Sequence, residues 1–184
     1  MELYTKEKDG KWGFVDEKDR WVIPALFEEA DDFSEGVACV CWHGKYGYIN
    51  RKGDWEIKPI FKEAFFFSEG VAMVTLDSKF GYINRDGSWA INPKFGGLSY
   101  HFLHGVAVVF LDGKYGAINH DGSWALEPIF DGLELFDEIG VAKATIDGFT
   151  GYIYRNGQWA VKPMFYGPGI VPTPYIKDGE WNVK

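Results

Sequence analysis

A glycine followed eight residues later by a tryptophan occurs five times, at Gly13/Trp21, Gly47/Trp55, Gly81/Trp89, Gly116/Trp124 and Gly151/Trp159. The tryptophans lie 34, 34, 35 and 35 residues apart and the glycines keep the same intervals, so the chain is a tandem repeat. A period of this length constrains the fold more than local propensity does. Each unit is one supersecondary piece that buries its apolar face only against a neighbour. Side chains common to all copies are therefore read as frame, and those that differ as candidates for recognition.

The stretch 70–105 shows the grammar of one unit. Val71–Leu76 alternates, with Ala72, Val74 and Leu76 on one face and Val71, Met73 and Thr75 on the other, as a strand requires. Asp77-Ser78, with Asp112-Gly113 and Asp147-Gly148 in later copies, is hairpin-turn chemistry. Phe80–Asn84 reads as a second strand, Arg85-Asp86-Gly87-Ser88 as a turn, and Trp89–Pro93 as a third strand ended by its proline. In the first copy Asp19 replaces the turn glycine, and Pro24 comes one residue early, a shift that a local bulge would absorb. The link after each proline, with Phe61, Ala64 and Phe67 three apart, suits a turn or one turn of 3₁₀ helix.

If Asn84 opposes Ser88, then Gly81, Ile83, Trp89 and Ile91 share a face, and the indole lies diagonally over the glycine that lacks Cβ. The repeat core is accordingly expected to hold Gly13, Trp21, Gly47, Trp55, Gly81, Trp89, Gly116, Trp124, Gly151 and Trp159. On that reading Trp89→Ala costs ~3–5 kcal/mol, as for a fully buried large aromatic.

The pattern lysine, aromatic, glycine, aromatic before the turn (Lys11-Trp12-Gly13, Lys45-Tyr46-Gly47, Lys79-Phe80-Gly81, Lys114-Tyr115-Gly116), then W-x-I-x-P and F-S-E-G-V-A, resembles the bacterial WG or KWG repeat. The fifth copy departs from it, with Thr150 before Gly151. The resemblance implies an all-β repeat with a binding role, and it brings no catalytic residue set.

The expected fold is thus all-β: a tandem array of β-meanders and hairpins in one domain, 1–184. Its units span about 1–35, 36–69, 70–104, 105–139 and 140–168, with a half-unit cap at 169–184 whose Pro174–Val183 resembles the opening of a sixth copy. The surplus half-unit favours an open, solenoid-like stack; a five-bladed, propeller-like ring is the alternative.

Composition bounds the partner. With 19 basic and 27 acidic residues the formal charge is −8, which disfavours nucleic acid and anionic membranes. The opening residues mix three lysines with three acids and lack an apolar run, so neither a signal peptide nor a membrane span is expected and the cytoplasm is the default. Cys39 and Cys41, one residue apart on a strand, read as free thiols.

Chemistry is hard to find. Cys39, Cys41 and His43 share a strand face, but His43 takes a turn position and three ligands fall short of a structural zinc site. His101 and His104 form H-x-x-H without the glutamate of hydrolytic zinc motifs. Glu35 and Glu69 give way to His104 and Ile139 in later copies, so no ring of paired carboxylates repeats. No enzyme, metal or cofactor is expected.

Recognition is sought instead on two strips. One holds Cys39, Cys41, Met73, Thr75, Val108, Phe110, Lys143 and Thr145; the other holds Trp12, Phe14, Tyr46, Tyr48, Phe80, Tyr82, Tyr115 and Tyr152. The rings either face solvent as stacking platforms or pack on the next unit. The expected function is a scaffold binding another protein, with a lectin-like or small-ligand module and an acidic inhibitor or immunity protein capping a basic partner as alternatives.

Overall fold

A computed structural model of the chain describes residues 2–97 and 99–164, and the strands Pro174–Lys177 and Glu180–Val183 as backbone. Phe165 and the cap residues outside those two strands lie outside the described residues. The chain divides into two compact units, Met1–Lys94 and Phe95–Lys184.

The first unit begins with β1 (Tyr4–Lys8), β2 (Lys11–Val15) and β3 (Trp21–Phe27), a three-stranded antiparallel meander. Next come β4 (Glu29–Ala30), β5 (Val37–Trp42), β6 (Lys45–Asn50) and β7 (Trp55–Phe61) in order along one sheet. The third sheet repeats that pattern with β8 (Ala64–Ser68), β9 (Val71–Leu76), β10 (Lys79–Asn84) and β11 (Trp89–Phe95). The second unit holds β12 (Ala107–Leu111), β13 (Lys114–Ile118) and β14 (Trp124–Phe130). It continues with β15 (Gly132–Leu133), β16 (Val141–Ile146), β17 (Phe149–Tyr154) and β18 (Trp159–Met164), then the hairpin β19 (Pro174–Lys177) and β20 (Glu180–Val183). The all-β repeat expected from the sequence is what the chain forms, and no described residue is helical.

Turn chemistry follows the residues. Asp9-Gly10, His43-Gly44, Asp77-Ser78, Asp112-Gly113 and Asp147-Gly148 all hold positive φ at both positions, the two-residue turn whose twist matches antiparallel strands. The Asn50 carboxamide oxygen accepts from the N–H groups of Lys52 (2.9 Å) and Asp54 (3.1 Å), closing the second turn as an Asx turn. Asp16 does the same in the first copy and also receives Arg20, which holds its carboxyl below the usual carboxylate range. Asp19 adopts the left-handed φ of 59° where other copies have glycine.

Packing is layered within each unit. One core joins Leu3, just before β1, and Phe14, Ile23 and Phe27 of the first sheet to Ala38, Val40 and Ile49 of the second. The opposite face of the second sheet, with Val37, Cys39, Tyr48, Ile57 and Phe61, meets Phe67, Ala72, Val74 and Ile83 of the third. In the second unit Val108, Ala117, Leu126 and Phe130 meet Phe136, Ala142, Ala144 and Ile153 in the same way. The central strand of the second sheet is thus covered on both faces, and strictly alternating burial gives way to consecutive buried residues such as Gly47, Tyr48 and Ile49.

Several expectations are corrected here. Proline does not end the third strand: β7 runs through Pro59 to Phe61. Between the pairs Tyr46↔Phe61 and Tyr48↔Ile57, β6 advances two residues while β7 advances four, so the proline sits in a bulge. The first copy has the same register, Trp12↔Phe27 and Phe14↔Ile23, so its early Pro24 occupies a bulge common to the copies and needs no special one.

The conserved glycine is explained by this bulge and not by an indole. A Cβ on Gly47 would lie 2.6 Å from the Ile57 carbonyl oxygen and 2.7 Å from the Pro59 nitrogen, and Gly13, Gly81 and Gly151 meet equivalent backbone. At Gly116 the indole is also among the nearest groups, with Trp124 Cζ3 at 2.9 Å.

The tryptophans are not core residues. Trp21 and Trp55 are each 38% exposed, and Trp89, Trp124 and Trp159 are half-buried. They lie on edge strands, and each of the last four indoles stands edge-on to the phenylalanine ending the preceding copy's third strand: Phe27–Trp55, Phe61–Trp89, Phe95–Trp124 and Phe130–Trp159, at 6.1, 6.4, 6.2 and 6.2 Å.

The link is also different from its reading. β8 is a strand, and between the pairs Ala64↔Val74 and Phe67↔Ala72 it carries an extra residue. The extra residue is why Ala64 and Phe67, three apart on β8, are both buried, while Phe61 is buried as the end of β7.

These contacts reverse the energetic ranking. Gly47→Ala is expected to cost about 3 kcal/mol, since the methyl must displace backbone. Trp55→Ala should cost about 2 kcal/mol, short of the ~3–5 of a fully buried ring. Urea unfolding of both variants checks this, and a larger loss for the tryptophan would restore it to the core.

Candidate functional site

Both strips singled out in the sequence are mostly interior. Cys39, Cys41, Met73, Thr75 and Val108 are buried, and Phe110, Lys143 and Thr145 are half-exposed. Phe14, Tyr48 and Tyr82 are wholly buried, while Trp12, Tyr46, Phe80, Tyr115 and Tyr152 are half-buried. Tyr48 donates its hydroxyl to the Phe65 carbonyl oxygen at 2.8 Å, and Tyr46 donates to Glu29 at 2.5 Å. Burial pushes the Tyr48 and Tyr82 phenols up. Phe14, Tyr48 and Tyr82 are thus enclosed in the cores, and the other five rings keep part of their surface exposed.

The two thiols are free and buried. Cys39 donates weakly to the Ala64 carbonyl and Cys41 to Glu28, and burial raises both above the ordinary thiol range. His43 and His104 occupy turn positions with φ of 52° and 54°. Among the described residues, no three His, Cys, Asp or Glu side chains are grouped to hold a metal ion. Glu35 serves the frame, because its carboxylate accepts from the Gly70 N–H of the next copy at 3.1 Å while the neighbouring Ser34 hydroxyl donates to the Phe67 carbonyl at 2.7 Å.

Outward variation sits elsewhere, in the links. Counting back from the buried or half-buried phenylalanines Phe33, Phe67, Phe102 and Phe136, the preceding pairs are Asp31-Asp32, Phe65-Phe66, Tyr100-His101 and Glu134-Leu135. The frame around them is constant: a cation or histidine from the next turn lies on three of these rings, Arg51 on Phe33 (5.3 Å), Arg85 on Phe67 (5.1 Å) and His120 on Phe102 (4.0 Å). The pairs themselves change chemistry completely.

In the first unit two of these pairs are neighbours. Asp31 stands near enough to Cys39 and Tyr48 to raise both, and those two groups hydrogen-bond the carbonyls of Ala64 and Phe65. Phe65 and Phe66 are each 38% exposed. The Thr5 hydroxyl donates to Asp32 at 2.9 Å, whereas no lysine or arginine among the described residues pairs with Asp31. The Asp31 side chain reaches solvent, yet packing around its base and the charges of Asp32 and Glu29 hold its carboxyl above the ordinary value.

A second exposed feature follows the tryptophan edge, where Trp21, Leu26, Trp55 and Ile60 reach solvent. An open groove of about 440 Å³ beside Trp21 is lined by Lys8, Asp9, Lys11, Pro24 and Ala25. Along this edge the tryptophan recurs in every copy and Leu26, Ile60 and Ile129 match one another, with Lys94 in the third, while the exposed position three residues after the tryptophan changes from Pro24 to Lys58, Asn92 and Glu127.

The architecture is that of successive antiparallel meander sheets of the propeller-blade kind. A model of the WG-containing repeat matches residues 12–46, 46–80, 80–115 and 115–148, and the chain belongs to that family. By overall structure it is similar to Hsv2 of Kluyveromyces lactis, at 10% identity and TM-score 0.57, over 86% of this chain and 58% of that one. Hsv2 of Kluyveromyces marxianus gives 11% identity and TM-score 0.55, over 82% and 57%. This chain therefore spans less than two thirds of the length of those structures, and at such identities the likeness is one of fold. No curated protein matches the chain by sequence. Among the described residues no helix is long and apolar enough to cross a membrane.

Asp31 supplies a pH test. Its folded pKa exceeds the unfolded value of about 3.9, so the ionised carboxylate is less favourable in the fold than in the open chain. Asp31→Asn should raise the melting temperature near neutral pH, and the gain should shrink as pH falls through the folded pKa and vanish below the unfolded one. Parallel thermal melts across that range check it; a gain independent of pH would mean the carboxylate is not under electrostatic pressure.

Proposed function

We propose that this chain is a non-catalytic scaffold of the bacterial cytoplasm that binds another protein through the edge formed by its links. One observation supports the reading above others: ahead of a repeated phenylalanine the links carry an exposed pair that is Asp31-Asp32, Phe65-Phe66 or Glu134-Leu135, while Tyr100-His101 at the same place is half-buried. A repeat that keeps its buried set and varies an outward pair is built to distinguish partners. Burial of Phe14, Tyr48 and Tyr82 interrupts the aromatic strip, which favours the protein-binding reading over a lectin-like one.

The test is affinity capture with purified protein, comparing wild type with Phe65→Ser/Phe66→Ser, whose substituted side chains are partly solvent-exposed. A discrete protein retained by the wild type and lost from the variant, with both melting alike, is the expected result. Identical retention by the two, or turnover of a small metabolite by the purified chain, would refute it.

A further inference from the structure

We infer that the link edge of the first unit receives an extended protein segment in which a lysine or arginine lies beside a large apolar side chain. This rests on the reading of the links as the binding edge and names the partner's chemistry. The apolar half of the site is Phe65-Phe66, consecutive on a bulged strand so that both keep exposed area, 38% each, although Phe65 also packs on Phe80 at 6.4 Å. The polar half is Asp31-Asp32 on the preceding link, where the Asp31 N–H bonds the Cys39 carbonyl at 2.9 Å and the Cys39 thiol and Tyr48 hydroxyl in turn donate to the Ala64 and Phe65 carbonyls.

Charge complementarity selects the occupant. Asp31 has no cationic partner among the described residues, Asp32 receives only the Thr5 hydroxyl and backbone N–H, and Glu29, which receives Tyr46, adds a third negative charge beside them. An incoming guanidinium or ammonium would relieve the repulsion that these groups now share, while an acidic segment would increase it. The rings supply rigid apolar area at the adjoining position, which a wholly hydrophilic segment would leave uncovered. Arg51 and Arg85 lie over Phe33 and Phe67, and no ion pair among the described residues joins either of them to Asp31 or Asp32.

A random dodecapeptide display library panned against the whole chain, with depletion on Phe65→Ser/Phe66→Ser, provides the experiment. Peptides pairing Lys or Arg with Leu, Phe or Trp should be enriched. Asp31→Asn/Asp32→Asn should weaken the best of them by about tenfold in fluorescence polarisation, with binding falling as salt rises. Asp31→Lys serves as a second variant that reverses the charge and should abolish binding. Enriched peptides that are acidic or uncharged, yet still lost in Phe65→Ser/Phe66→Ser, would overturn the chemistry and leave the edge as the binding surface. Peptides insensitive to every variant, or none enriched, would overturn both. Self-association in sedimentation that depends on Phe65 and Phe66 would assign the edge to a second copy of the chain and also refute the inference.

Discussion

Five glycines without a Cβ let the third strand of each copy fold its backbone down onto the second, and the rest of the layer depends on that approach. At Gly47 the bulge of β7 brings the Ile57 carbonyl and Pro59 nitrogen inside the space that any other residue would fill. The bulge in turn holds Ile57 inward and carries Trp55 outward to the rim, where it meets Phe27 of the preceding copy. One missing methyl group thus sets both the thickness of a sheet and the contact by which consecutive sheets are tied.

The same bulge protects the edge it creates. An edge strand with unpaired amides invites another chain to pair with it, and large apolar groups such as Leu26 and Ile60 add to the hazard. Proline within the strand removes a donor, and the doubled register shift breaks the straight ladder that a second strand would need. The tryptophan edge is therefore open to side-chain contact and poorly suited to strand addition.

Legibility followed the range of the physics. The period, the strand alternation of Ala72 and Val74, the positive-φ turns and the Asn84 to Ser88 closure were all readable, because each rests on residues within one turn or one strand. The exposure of Trp21 was not, since a register assumed to be regular puts the indole over the glycine, and a bulge of the observed size moves it to the rim. The link was misread for a related reason: a spacing of three is shared by a 3₁₀ turn and a bulged edge strand, and only the partner strand β9 distinguishes them. The aromatic strip could be placed only once both faces of β6 were known to be covered, a property of neighbours and not of the strand's own sequence.

The location of the variable pairs follows from these constraints. The buried middle positions of the two central strands of a sheet answer to a layer above or below, so substitution there is limited by volume and by the need to satisfy groups such as the Tyr48 hydroxyl. In the third sheet, a bulge in the link strand releases two consecutive residues from that requirement while the flanking Ala64 and Phe67 remain anchored. Chemistry can then change at the released pair without disturbing the core, which is how aspartates in one copy and phenylalanines in the next share one backbone.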